Sequence, residues 1–196
     1  MHVVEIGPAT SRRAILKAMA LAPVVGSPVC AAEVPTTSSI NIEGPVRLSR
    51  SRAGRDASRF RYHNAEGFFL GIERGVVQHA HDRLYQIGIV LQLGLSSHLL
   101  DVGFTDQWCA QNIGLYISRA LAHANATGFG FERPDFDLLA AILSPYSRWR
   151  CPVQDEQPAD VPFTPAQLQA LTRALLDHVH RVTGHPRPRE RNSRHG

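Results

Sequence analysis

The sequence predicts an all-α fold: a small bundle of about four helices that follows a disordered N-terminal leader and stalk. Three observations carry this. Four stretches place apolar residues three or four apart, helix start and stop residues bound them, and 196 residues suffice for one core but not for two with a linker. Apolar residues make up 43% and charged residues 19%, ordinary globular usage that argues against disordered, collagen-like and disulfide-dense chains. The longest uninterrupted apolar run, Ala18 to Gly26, contains Pro23 and falls far short of the roughly 20 residues that span a bilayer.

The elements follow in chain order. Residues 33–63, with Thr36, Thr37, Ser38, Ser39, Gly44, Pro45 and Gly54, hold no sustained period and read as a flexible basic linker. The helical domain is expected over 64–184. Phe69, Ile72, Val76, Ala80, Leu84, Ile87, Leu91 and Leu95 keep the helical period as one long helix or two. Gly88 and Gly94 weaken its second half, where a strand from Tyr85 to Leu93 competes. A further helix starts with Thr105 or Asp106 as N-cap, runs along Cys109, Ile113, Tyr116, Ile117, Ala120 and Ala124, and stops at Gly128. Pro134, Asp135 and Asp137 open a shorter helix that Pro145 closes. Four prolines between Cys151 and Pro165 make a connecting loop. Thr164 and Gln167 form a capping box for the last helix, whose face is Leu168, Leu171, Leu175, Val179 and Val182 and whose end is Gly184. Residues 185–196 then read as a disordered basic tail.

Residues 11–17, Ser-Arg-Arg-Ala-Ile-Leu-Lys, carry the most specific string in the chain. It resembles the twin-arginine export signal, with Arg12 and Arg13 as the targeting pair and Ile15 where the pattern has Phe. A moderately apolar stretch follows, and the small residues Cys30 and Ala32 suit cleavage before Glu33. The resemblance covers residues 1–32 and implies routing alone: recognition by the export machinery and a periplasmic or exported mature chain. Without a functional leader the protein is cytoplasmic.

The net charge of +4 hides an opposition. Residues 44–63 sum to +5 and 181–196 to +4, whereas 64–180 sum to −5. Basic arms around an acidic body suit an acidic partner such as nucleic acid. That partner is disfavoured, because 20 of 21 basic residues are Arg, a compositional skew, and phosphate affinity needs charges gathered on one face.

No nucleophile elbow, phosphate loop, H-E-x-x-H or C-x-x-C motif occurs. His79, His81 and Asp82 form one polar group, and Asp177, His178 and His180 another. Residues two apart on a helix diverge by about 200°, so neither pair chelates alone, but one His from each could meet across helices. Gly67, Gly71 and Gly75 offer a smooth face for a closely packed neighbouring helix. Gly128-Phe129-Gly130-Phe131 reads as a helix stop and turn whose rings cover the core. Tyr146 and Trp149, beside Cys151, either fold back as a lid or form an exposed recognition loop. With Cys30 removed, Cys109 and Cys151 remain as an even pair and a disulfide candidate in an oxidising compartment.

The functional expectation is therefore an exported, non-catalytic binding module without cofactor, directed at an envelope protein or a small ligand. Two alternatives stand beside it: a His/Asp-dependent metal protein or enzyme in the periplasm, and a cytoplasmic nucleic-acid-associated protein whose basic arms hold phosphate.

Overall fold

The computed structural model describes residues 48–77, 79–150 and 161–188. The leader with Arg12 and Arg13, and Cys151 with the loop after it, lie outside the described residues. The described elements are α1 (Arg52–Glu73), α2 (Ala80–Val102), α3 (Asp106–Asn112), α4 (Ile117–Ala126), α5 (Pro134–Ile142), a short 3-10 helix (Tyr146–Trp149) and α6 (Pro165–Thr183). The fold is all-α, with no strand among the described residues.

Helix α1 begins well inside the stretch that composition marks as linker. Ser51 caps it, its hydroxyl accepting from the Gly54 amide at 3.0 Å. The inward residues of its first turns are Ser58 and Tyr62, not aliphatics, so no apolar stripe announces them. Arginines at 52, 55, 59 and 61 fill the other faces and give this helical segment the composition of a loop. After Glu73 the chain turns through Gly75 at φ 68°, with the Val76 amide bonded to the Gly71 carbonyl. The long apolar stripe is thus two helices running antiparallel.

Residues 85–93 are helical, which settles the competition with a strand. Gly88 sits there because the Tyr146 side chain lies where a Cβ would be: an added Cβ would stand 2.4 Å from Tyr146 Cβ. The second expected helix is likewise broken. Thr105 is the N-cap, accepting from the Trp108 amide at 3.1 Å, but Gly114 at φ 59° ends α3 and Tyr116 opens α4. Pro134 occupies the first turn of α5, and Gly128 and Gly130, both at positive φ, turn Phe129 and Phe131 into the core. The capping box of α6 forms in both directions, and Gly184 at φ 68° closes it.

Helix α2 lies at the centre, against α1, α6, α4 and the 3-10 helix. The core contains Phe69, Leu91, Leu95, Ile117, Phe136 and Leu175, none of them exposed. Tyr146 and Trp149 fold back as a lid, with Trp149 buried and Tyr146 seated on Gly88. The tail does not begin at 185: His185 is 1% exposed, and Pro186 and Arg187 are hydrogen-bonded to the body.

The two α2 glycines should respond oppositely to Ala in urea denaturation. Gly88→Ala drives its methyl into Tyr146 and should cost about 1–3 kcal/mol, the range for overpacking. At Gly94 an added Cβ meets Leu176, Leu175 and Val179 at 3.5–3.7 Å, ordinary contact, so Gly94→Ala should gain up to about 1 kcal/mol of helix propensity.

Candidate functional site

The antiparallel pairing of α1 with α2 sets Ser58 opposite Ser97, and the turn at Gly184 brings His185 onto the same point. Ser58 Oγ lies 2.6 Å from the Ser97 carbonyl oxygen, 3.1 Å from Ser97 Oγ and 2.6 Å from His185 Nε2. A serine and a histidine at that distance resemble an activated nucleophile. Proton accounting argues otherwise. The Ser97 carbonyl can only accept, so the Ser58 hydroxyl donates to it, and His185 Nε2–H donates to Ser58 Oγ. The histidine therefore acts as donor where catalysis needs a base. Ser58 is 0% exposed, so in this closed arrangement it is shielded from solvent. Burial, the largest influence on it, lowers the His185 pKa below its ordinary value and favours the neutral ring.

Beside this pair, Tyr62 is fully buried, with the rings of His63, His180 and His185 each 6.2–6.3 Å away. Its hydroxyl donates to Glu66 Oε1 at 2.7 Å, and burial together with Glu66 pushes its pKa far up. Arg173 of α6 reaches Glu66 Oε2 at 2.8 Å and Glu73 at 3.3 Å, with its guanidinium 4.4 Å over the Phe69 ring. This is an interhelical brace, with every buried charge partnered.

The sequence-flagged histidines are divided between two levels of the bundle. Each member of the α6 group is engaged: His178 Nε2 donates to the Phe129 carbonyl at 2.6 Å, His180 Nδ1 to the His185 carbonyl at 2.6 Å, and Asp177 pairs with Arg187. His79 and Asp82 stand beyond the other end of α1. Gln169 reaches the Ile72 carbonyl near that end, and nine residues of α6, about 13 Å of rise, separate Gln169 from His178. The expected cross-helix meeting of the two groups does not form, and no cluster of three or more His, Cys, Asp or Glu side chains suited to a metal ion occurs among the described residues. His81 packs its ring 6.1 Å from Trp149 instead.

His98 escaped the sequence reading because a lone histidine on an apolar face carries no signal. It is 2% exposed, its Nε2 lies 3.3 Å from Thr127 Oγ1, and burial pulls its pKa down to about 4. Thr127 donates to the His123 and Ala124 carbonyls, so the His98 ring is the donor to Thr127.

Two accessible features remain. An open cleft of about 330 Å³ at the α1–α2 turn is lined by Val76, Val77, His79, Asp82, Tyr85 and Gln86. Along the outside of α1, Ala53, Ala57, Phe60, Gly67, Phe68 and Gly71 fall within about 100° of one another and over about 27 Å. Phe60 is 65% and Phe68 45% exposed. The glycine stripe is no seat for a neighbouring helix of this chain, because a Cβ added at Gly67, Gly71 or Gly75 meets nothing within 4 Å, and Gly75 belongs to the turn. The body of the bundle covers the opposite face of α1, where Tyr62, Ala65 and Phe69 point.

The basic arm is partly turned inward as well. Arg55 binds Asp101 at 3.0 Å and Arg61 binds Asp106 at 2.7 Å, while Arg52, Arg55 and Arg59, spaced i, i+3 and i+7, share one exposed side of α1. Cys109 is buried on the core side of α3, and burial pushes its thiol up to about 11. Its pairing with Cys151 lies outside the described residues. No helix among the described residues is long and apolar enough to cross a membrane. No family model, curated protein or solved structure matches the chain.

The brace is testable by a double-mutant cycle. Arg173→Met strands the Glu66 carboxylate in the interior and should cost about 3 kcal/mol in urea denaturation, whereas Arg173→Met with Glu66→Gln should recover most of it. Equal losses in the single and double variants would show that Arg173 acts through its packing on Phe69.

Proposed function

We propose that the chain is an exported helical protein of the cell envelope that acts by binding another envelope protein, with no catalysis of its own. The observation that supports binding is the outer face of α1. It keeps Phe60 and Phe68 in water, Asn64 between them is its one polar side chain, and Ala53, Ala57, Gly67 and Gly71 leave room along it for a partner helix to approach closely. Exposed apolar surface of this kind is characteristic of interaction sites. The interior polar groups support the same reading from the other side, since Ser58 with His185 and Glu66 with Arg173 are engaged in holding helices together. Routing rests on Arg12 and Arg13 and their resemblance to the twin-arginine signal.

The cleft supports a second reading, a small ligand. His79 and Asp82 share it with Tyr85 and Gln86 and present hydrogen-bonding groups of both signs beside Val76 and Val77. In this reading His79 and Asp82 orient the ligand.

Two experiments test the proposal. Replacing Arg12 and Arg13 with Lys should leave the protein in the cytoplasm at precursor length, while the wild type fractionates with the periplasm at mature length. A cytoplasmic, uncleaved wild type overturns export. For binding, a photo-crosslinking residue at Gly67 should give an adduct to a discrete envelope protein, and Phe60→Asp with Phe68→Asp should abolish it. The same double variant should shift urea stability by no more than about 0.5 kcal/mol per site, as exposed positions do. Absence of any adduct in intact cells overturns the α1 reading.

A further inference from the structure

The segment after Gly184 folds back on α1 and α6, and three imidazoles hold it there. His180 Nδ1 donates to the His185 carbonyl at 2.6 Å, His63 Nε2 donates to the Pro186 carbonyl at 2.9 Å, and His185 buries its own ring against Ser58. Arg55 adds a bond to the Thr183 carbonyl at 3.3 Å, and Arg187 closes the strap on Asp177. We propose that residues 185–187 form an acid-released strap, closed while His185 is neutral and opened when its ring takes a proton, so that Ser58 and Tyr62 become accessible. The inference goes beyond the binding reading and does not rest on it.

The three histidines differ in what a proton does to them. His63 and His180 sit at the strap as donors, and a charged imidazole still donates through the same nitrogen, so their bonds survive acidification. His185 is enclosed, and its Nε2–H is already committed to Ser58. Protonation puts a second N–H and a full charge into a space that is 1% exposed. The groups facing it are predominantly basic. Arg55, Arg59 and His63 approach it from α1, His180 stands over it from α6, and Arg187 follows it in the strap. Asp101 of α2 is the one carboxylate that favours its charged form, and Asp101 is already bonded to Arg55. Tyr62, against whose ring it packs, supplies no negative charge because its own ionisation is pushed far up.

The sign follows from proton binding. With the His185 pKa lowered in the closed state, the open state binds the extra proton, so closure is complete above the ordinary 6.5 and is lost as pH falls below it. His98, buried elsewhere, loses stability over part of the same range, which is why a local measurement is needed.

Nitrogen-15 relaxation of the full chain provides one. At pH 7.5 the His185 and Arg187 amides should show order parameters near about 0.85, falling below about 0.6 on acidification while α2 stays rigid. The midpoint should coincide with the His185 imidazole titration, read from its ring nitrogens. His185→Gln offers a donor at the Nε2 position without a titrating group and should keep the strap ordered at the lower pH. His63→Gln and His180→Gln, which remove strap bonds and basic neighbours of His185, should shift the midpoint upward but keep release coincident with the His185 titration. Order retained throughout the His185 titration, or a release midpoint that follows another histidine, overturns the proposal. If His185→Gln proves disordered already at pH 7.5, the coincidence of midpoints in the wild type decides the matter.

Discussion

From Leu95 to Asp101 every residue of α2 is buried, so over those two turns the helix has no face toward water. A helix in that position needs apolar neighbours on all sides, and each polar group it carries needs a partner, since an unsatisfied buried group costs about 1–3 kcal/mol. Three such residues there reach across to other elements, although His98 Nδ1 has no hydrogen-bond partner among the described residues. Ser97 receives Ser58, His98 meets Thr127, and Asp101 binds Arg55. Each bond ties α2 to a different place: the middle of α1, the end of α4, and the start of α1 beside the strap. The rest of the arrangement follows from these ties together with the apolar cover.

The same constraint explains why the interior chemistry is structural. Ser58 and His185 come within hydrogen-bond distance because the end of α6 must be closed over α1, and the carbonyl of Ser97 takes the serine proton that a catalytic base would need to receive. Glu66 tolerates burial because Tyr62 donates to it and Arg173 neutralises it. In both places the strongest polar contacts join helices far apart in sequence, the function of a brace. The outside of α1 and the cleft at its C-terminal end are the surfaces on which the proposed binding rests.

The elements were legible where local chemistry decides them. Thr105, Pro134, the Thr164–Gln167 box and Gly184 lie at the boundaries expected, because a cap is made within one turn and owes little to the remainder of the chain. The start of α1 was not legible. Ser58 is an inward residue because Ser97 awaits it, and a sequence pattern cannot show a hydrogen bond between positions 39 residues apart. The histidine groups were misread for a related reason. Their spacing was weighed as if each pair lay within one helix, whereas His79 is the extended N-cap of α2, and the register of α6 against α1 separates the two groups along the bundle.

By itself the sequence determined that the chain is helical, where α5 and α6 begin and end and where α3 begins, and that Phe129 and Phe131 cover the core, since period, caps and breakers act over a few residues. The tertiary structure alone decided that the long stripe is two antiparallel helices, that the glycine face of α1 looks outward, and that His185 is sealed inside. These depend on which surfaces meet. The free energy of meeting comes from apolar area and buried hydrogen bonds assembled from distant segments, a quantity no local stretch of sequence contains.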